Sequence, residues 1–171
     1  MKILLIIGAV VVSGLAIYAV YMGVFVSITI REQRIGPYHF IYKEMHGTDA
    51  REVGKITTEL RLLLTNNGFT NIAPLDIYFP DQKPNHIGFM ADDARVEAII
   101  TTDSLLKYRN IPEQRCMTTG FPYRNPMSYL VGYIKVDAAL SKYRETHGYK
   151  KTEAGTIHQD ENILYFQPII P

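Results

Sequence analysis

The sequence has no tryptophan and only one cysteine among its 171 residues. A single cysteine excludes an internal disulfide framework and a multi-thiolate zinc site. Neither sign of charge is in excess, with Lys+Arg 18 against Asp+Glu 17. That balance argues against nucleic acid as a main partner, because phosphate binding usually leaves a basic surplus. HExxH, CxxC, GxSxG, phosphate-loop and dinucleotide patterns are all missing. His39, His46, His86, His147 and His158 show no metal-ligand spacing. No metal, no cofactor and no catalytic residue is therefore expected, and the reading leans away from an enzyme. Cys116 falls in a predicted strand, where a small buried hydrophobe needs no further role.

Charge is also missing from the front of the chain. Between Lys2 and Arg31 there is no Asp, Glu, Lys, Arg or His. A hydrocarbon core of ~30 Å needs about 20 helical residues, and Ile3 to Gly23 meets that. Tyr18 and Tyr21 lie near its far end, where amphipathic rings suit the interface. The rivals are a cleaved signal peptide and a buried core helix. Against the first, the run is long and Ala19-Val20-Tyr21 is a poor cleavage site. Against the second, it lacks a polar stripe. Residues 3–23 are thus expected to be a single transmembrane anchor with the lipid bilayer as partner. Ala9/Ser13 and Ala19/Gly23 offer small-residue spacings for helix approach. Lys2 on one side and Arg31 with Arg34 on the other leave the orientation nearly tied.

The remainder, residues 24–171, reads as two similar units, about 24–102 and 112–170. Phe25 to Arg34 alternates like a strand, and Gly36-Pro37 turns it. Tyr38 to His46 is a second strand, with Tyr38, Phe40, Tyr42, Glu44 and His46 on one face and Ile41 and Met45 on the other. Thr48 or Asp49 can cap a helix whose stripe is Val53, Ile56, Leu60 and Leu63, stopped by Asn67-Gly68. Leu75 to Phe79 and Arg95 to Thr101 are predicted strands around a polar loop, with His86 to Met90 ambiguous. Asp103 to Arg109 is expected as a short bridging helix. The pattern then repeats: a strand over Gln114 to Phe121, a helix over Met127 to His147, and a hairpin over Thr152 to Gln159 and Ile163 to Phe166. Helices segregated from meandering strands indicate an α+β layer fold.

The stretch FPYRNPMSYLVGYIKVDAALSKYRETHGYKKTEAGTIHQDENILYFQPI resembles the second half of a GyrI-like (gyrase-inhibitor-like) domain. Ile35-Gly36, Tyr42-Lys43 and Gly47 fall at the family's spacing. LDIYFPDQ, Leu75 to Gln82, is similar to its tyrosine-containing strand and loop, and Arg95 and Phe121-Pro122-Tyr123 match further positions. The likeness covers roughly residues 26–169. It extends to a membrane-anchored family member that serves as an endoplasmic-reticulum autophagy receptor, and haem-binding SOUL proteins share the architecture.

The resemblance implies two strand-helix-strand-strand modules related by a pseudo-twofold axis, with an aromatic groove between them that binds small organic molecules. Phe40, Tyr42, Tyr78, Phe121, Tyr123, Tyr129 and Tyr165 lie in elements expected to surround it. Thr156 and His158 share one strand face and form a candidate floor. The family commonly carries a glutamate at the position of Thr156. Glu153 faces the other way by strand alternation, so Glu44 is the candidate replacement acid.

The expected function is small-organic-ligand binding without catalysis by a membrane-anchored domain. A membrane-tethered adaptor with a protein partner is the alternative, and a hydrolase of strained electrophiles, dependent on Glu44, is the weakest. The receptor's long recruiting tail has no counterpart after the last strand. The expected location is a bacterial inner membrane with the domain in the cytoplasm, the periplasm being the alternative.

Overall fold

The computed structural model describes residues 2–47, 49–80, 83–91, 94–102 and 105–170. Helix α1 spans Lys2–Tyr21. Strands β1 (Arg31–Ile35) and β2 (Tyr38–Met45) lead into α2 (Ala50–Asn66), β3 (Ile72–Tyr78) and β4 (Asn85–Ala91). A 3-10 stretch, Ala94–Thr102, precedes β5 (Lys107–Ile111) and β6 (Gln114–Pro122). Then come α3 (Pro126–His147), β7 (Ala154–Gln159) and β8 (Asn162–Pro168).

Local chemistry accounts for both domain helices. Asp49 accepts a hydrogen bond from the Arg51 amide at 2.9 Å and caps α2; Thr48 lies outside the described residues. Ile56, Leu60 and Leu64 form the buried stripe of α2, with Val53 and Leu63 packed at its edge. At α3, Asn125 accepts from the Met127 and Ser128 amides, and Ser128 Oγ accepts from the Asn125 amide in return. This reciprocal cap precedes Pro126 in the first turn. Gly148, at φ +68, ends the helix.

The strands form one antiparallel eight-stranded sheet in the order β1-β6-β8-β7-β3-β4-β2-β5, curled into a half-barrel. The order reads alike from both ends. β2, β3 and β4 mirror β6, β7 and β8, and the axis passes between β3 and β7. β1 pairs with β6, and β5 pairs with β2, so each leading strand completes the other module. The two leading turns meet back to back: a Cβ on Gly36, which sits at φ +99, would stand 2.9 Å from the Pro112 carbonyl oxygen.

Cross-strand partners share a sheet face, so register carries one row across the sheet. Ile87 lies beside Asp76, Asp76 beside Thr156, Thr156 beside Tyr165, and Tyr165 beside Thr119. Helix α2 packs on this face at Ile41, Ile87 and Phe89. Helix α3 packs on it at Met117, Phe121, Ile163 and Tyr165. Both helices therefore cover one face. The other holds a core of its own that includes Phe40, Tyr42, Leu75, Ile77, Cys116, Ile157 and Phe166.

Three expectations need correction, and a fourth is not shown. Arg95 to Thr101 belongs to the 3-10 stretch, and the fourth strand is instead Asn85–Ala91. Val96 and Ile99 plug the α2 core, which a helical turn allows and a further strand would not. The segment expected as a bridging helix yields β5, drawn into pairing by the free edge of β2; residues 103 and 104 lie outside the described part. The strand expected from Phe25 begins only at Arg31. Val26, Ile28 and Ile30 still pack towards α3, but the Val26 carbonyl accepts from Lys135 Nζ at 2.7 Å rather than from a neighbouring strand.

The fourth concerns the anchor. Ile3, Val10, Leu15 and Ile17 of α1 are all exposed. Among the described residues, no helix is long and apolar enough to cross a membrane. The span expected over residues 3–23 is therefore not shown.

Candidate ligand-binding site

A hollow of about 270 Å³ lies between α3 and the sheet at β3, β7 and β8. Tyr78, Tyr133, Val136, Leu140, Thr156 and Tyr165 are among its walls, with Asp137, Arg144 and Lys151 also contributing. Gly132 sets how closely α3 sits there. A Cβ at that position would stand 2.6 Å from the Phe121 ring and 3.0 Å from the Tyr165 hydroxyl.

The walls are apolar with hydroxyls set into them. Thr156 Oγ1 and the Tyr165 hydroxyl are both buried and, among the described residues, find no hydrogen-bond partner. Such groups cost about 1–3 kcal/mol each when left unmade. The Tyr78 and Tyr129 hydroxyls bond each other at 3.0 Å. Thr156 Oγ1 lies near enough to influence both phenols without completing a bond of ordinary geometry. Burial, then the Asp76 carboxylate, pushes the Tyr78 phenol far above its ordinary range. Burial likewise raises Tyr129 and Tyr165. These phenols stay neutral and available for hydrogen bonding at any physiological pH.

A carboxylate stands beside this cluster. Asp76, 5% exposed, is the cross-strand neighbour of Thr156. Its Oδ2 is 3.8 Å from His158 Nε2. Tyr129 stacks on His158 with centroids 6.0 Å apart, and Tyr123 meets the same ring edge-on.

The structure thus gathers Tyr78, Tyr123, Tyr129, Thr156, His158 and Tyr165 on the helix-covered face. Tyr78, Thr156 and Tyr165 line the hollow itself. Phe121 is buried beneath α3 as packing. Phe40, Tyr42 and Glu44 lie across the sheet on the other face. There Tyr42 stacks between Phe40 and His86. The Glu44 carboxylate bonds Lys107 Nζ at 2.6 Å, which holds it below the usual carboxylate range. Glu44 is therefore not the acid of this hollow. Glu153 also serves the other face, where both its oxygens accept from Arg109, at 2.6 and 3.1 Å.

Sequence reasoning missed Asp76. Its signal was present: strand alternation puts it on the face of Tyr78, but only the β3–β7 register brings it to Thr156. Tyr133, Arg144 and Lys151 were missed as well, because a helix face and a loop show no such pairing. Among the described residues, no three His, Cys, Asp or Glu side chains gather to hold a metal. Burial and the Glu153 charge push the Cys116 thiol up to about 12.

No family model and no curated protein matches the sequence. Solved structures do. The C-terminal domain of EcmrR aligns at TM-score 0.60 and 14% identity, over 84% of this chain and 98% of that one. EcmrR in an EcmrR–DNA complex aligns at 0.60 and 13%, over 83% of this chain and 57% of that one. SAV2435 bound to tetraphenylphosphonium aligns at 0.53 and 12%, over 83% and 94%. The chain therefore shares the fold of the EcmrR C-terminal domain and of SAV2435.

Proposed function

We propose that this chain binds a lipophilic organic molecule, preferentially a cation, in the hollow beneath α3, without transforming it, and that α1 tethers the domain to a membrane. The observation that carries the binding reading is the pair of buried, unpartnered hydroxyls, Thr156 Oγ1 and Tyr165 OH, on residues lining an aromatic-walled hollow. A ligand that supplies their partners satisfies both groups. Asp76 supplies the counter-charge. It stands beside Thr156, on the strand related to β7 by the pseudo-twofold axis, and substitutes for the acid that the resemblance places at position 156. A protein of the same fold has been seen with tetraphenylphosphonium bound. The tether is supported by apolar side chains exposed along α1, which water alone does not favour.

The test uses the full chain in detergent and a panel of lipophilic cations and planar aromatics that includes tetraphenylphosphonium. At least one compound is expected to raise the thermal midpoint. Thr156→Val is expected to stabilise the free protein by about 1 kcal/mol while reducing the ligand-induced rise. Flat shifts across the panel would end this reading.

A further inference from the structure

The outward side of α3 changes character along its length. Its inner side packs Ser128, Gly132, Val136 and Leu140 towards the sheet. Its outer side carries Met127, Leu130 and Ile134, 52, 49 and 61% exposed. Spacings of three and four align them in one stripe. Farther along, the exposed positions turn polar, with Asp137, Lys142 and Glu145. A helix facing only water has no reason to be apolar at one end and charged at the other.

The apolar end is the one beside α1. The Asn125 side-chain amide donates to Met22 Sδ at 3.4 Å. The Arg124 guanidinium lies 5.0 Å from the Tyr21 ring centroid. Lys135 Nζ donates to the backbone carbonyls of Val24 and Val26. Contacts from both 124 and 135 hold the first turns of α3 level with residues 21–26, where α1 gives way to the domain. Phe25 is 72% exposed there. Arg124 and Lys135 set two cations along the same line, and α3 has no acid before Asp137.

We infer that the Met127–Leu130–Ile134 stripe, together with Phe25, lies in the interface of a phospholipid bilayer, so that the domain rests on the membrane rather than swinging free of it. This rests on the tethering reading above. Apolar side chains at the acyl boundary with cations at headgroup level are the composition of an interfacial helix. A second copy of the chain is the other occupant such a stripe could take. The lipid is favoured because the apolar character stops with distance from α1: a planar surface reaches only what stands level with the anchor's exit.

The lack of tryptophan makes a direct test available. Full chains carrying Leu130→Trp, Ile134→Trp or Lys142→Trp are reconstituted into phosphatidylcholine–phosphatidylglycerol vesicles, with or without lipids brominated near the headgroup end of the acyl chains. The expected result is blue-shifted emission, quenched by the brominated lipid, for Leu130→Trp and Ile134→Trp, against unshifted and unquenched emission for Lys142→Trp. If the protein floats with the vesicles but the first two variants behave like Lys142→Trp, this inference falls and the tether stands. If the protein does not float with them at all, both fall. Blue-shifted yet unquenched emission would assign the stripe to a second copy and overturn the lipid.

Discussion

Asp76 and Thr156 are cross-strand neighbours on β3 and β7, the two strands that join the modules, and both are buried. The pair puts one carboxylate at the centre of the helix-covered face, contributed by the first module. On the proposed reading, that placement sets the hollow's preference for a cation.

Asp76→Asn removes the charge and leaves the shape. A counter-charge within about 5 Å at an effective dielectric near 20 is worth roughly 1–3 kcal/mol, or ~10–100-fold in affinity. Lipophilic cations should lose that much in isothermal titration, and neutral planar aromatics should not. The converse change, Thr156→Glu, sets two carboxylates side by side. Like charges so placed raise each other's pKa in the folded state. A raised carboxyl pKa gives stability that is present at low pH and lost as pH rises through the folded value. The variant should therefore gain stability relative to the parent on acidification, read from denaturation midpoints across the acid range.

Gly132 and Gly54 are both helix-interior glycines with opposite expected outcomes. At Gly132 an added methyl meets the Phe121 ring and the Tyr165 hydroxyl, whereas at Gly54 nothing lies within 4 Å. Gly54→Ala should stabilise by about 0.5–1 kcal/mol through helix propensity. Gly132→Ala should destabilise, because overpacking of ~1–3 kcal/mol outweighs the same propensity gain. Paired urea denaturations give both signs in one experiment.

Glu32 is held by three donors. Tyr149 and Tyr143 hydroxyls donate to it at 2.9 and 3.1 Å, and Arg115 pairs with it. Led by the Tyr149 hydrogen bond, these hold its carboxyl below the usual range. A depressed pKa gives stability that is present above the unfolded value and lost as pH falls through the folded one. Glu32→Gln should flatten that part of the acid-denaturation slope. An unchanged slope would show that the cluster contributes nothing to folding.

Arg109 and Glu153 tie β5, at the first module's edge, to the entry of β7 on the helix-free face. The two-pronged pairing is part-buried, so removing one partner strands the other. Arg109→Ala or Glu153→Ala should each cost about 1–3 kcal/mol, and the double variant should cost less than the sum. Additive losses in the double-mutant cycle would mean that the pair contributes no coupling.

Much of the secondary structure could be read from local signals. The caps at Asp49 and Asn125, the stripe through Ile56 and Leu60, the stop at Gly148 and the alternation of β2 are each written within a few residues. The near-repeat of strand-helix-strand-strand was visible for the same reason. The failures fell where pairing overrides propensity. The segment Arg95 to Thr101 has strand composition but plugs a core as a 3-10 turn, and β5 forms only because β2 offers it an edge.

The hollow divides along the same line. Alternation by itself put Phe40, Tyr42 and Glu44 on one face, and Thr156 with His158 on one face. It carries no information about which of those faces the helices cover, because that follows from where α2 and α3 pack on the assembled sheet. The β2–β5 pairing set Glu44 beside Lys107, and the β3–β7 register brought Asp76 to Thr156. The chain encodes its helices and strands in hydrogen bonds and periodicities of a few residues, whereas the placing of Asp76 beside Thr156 was fixed only when two remote strands met edge to edge.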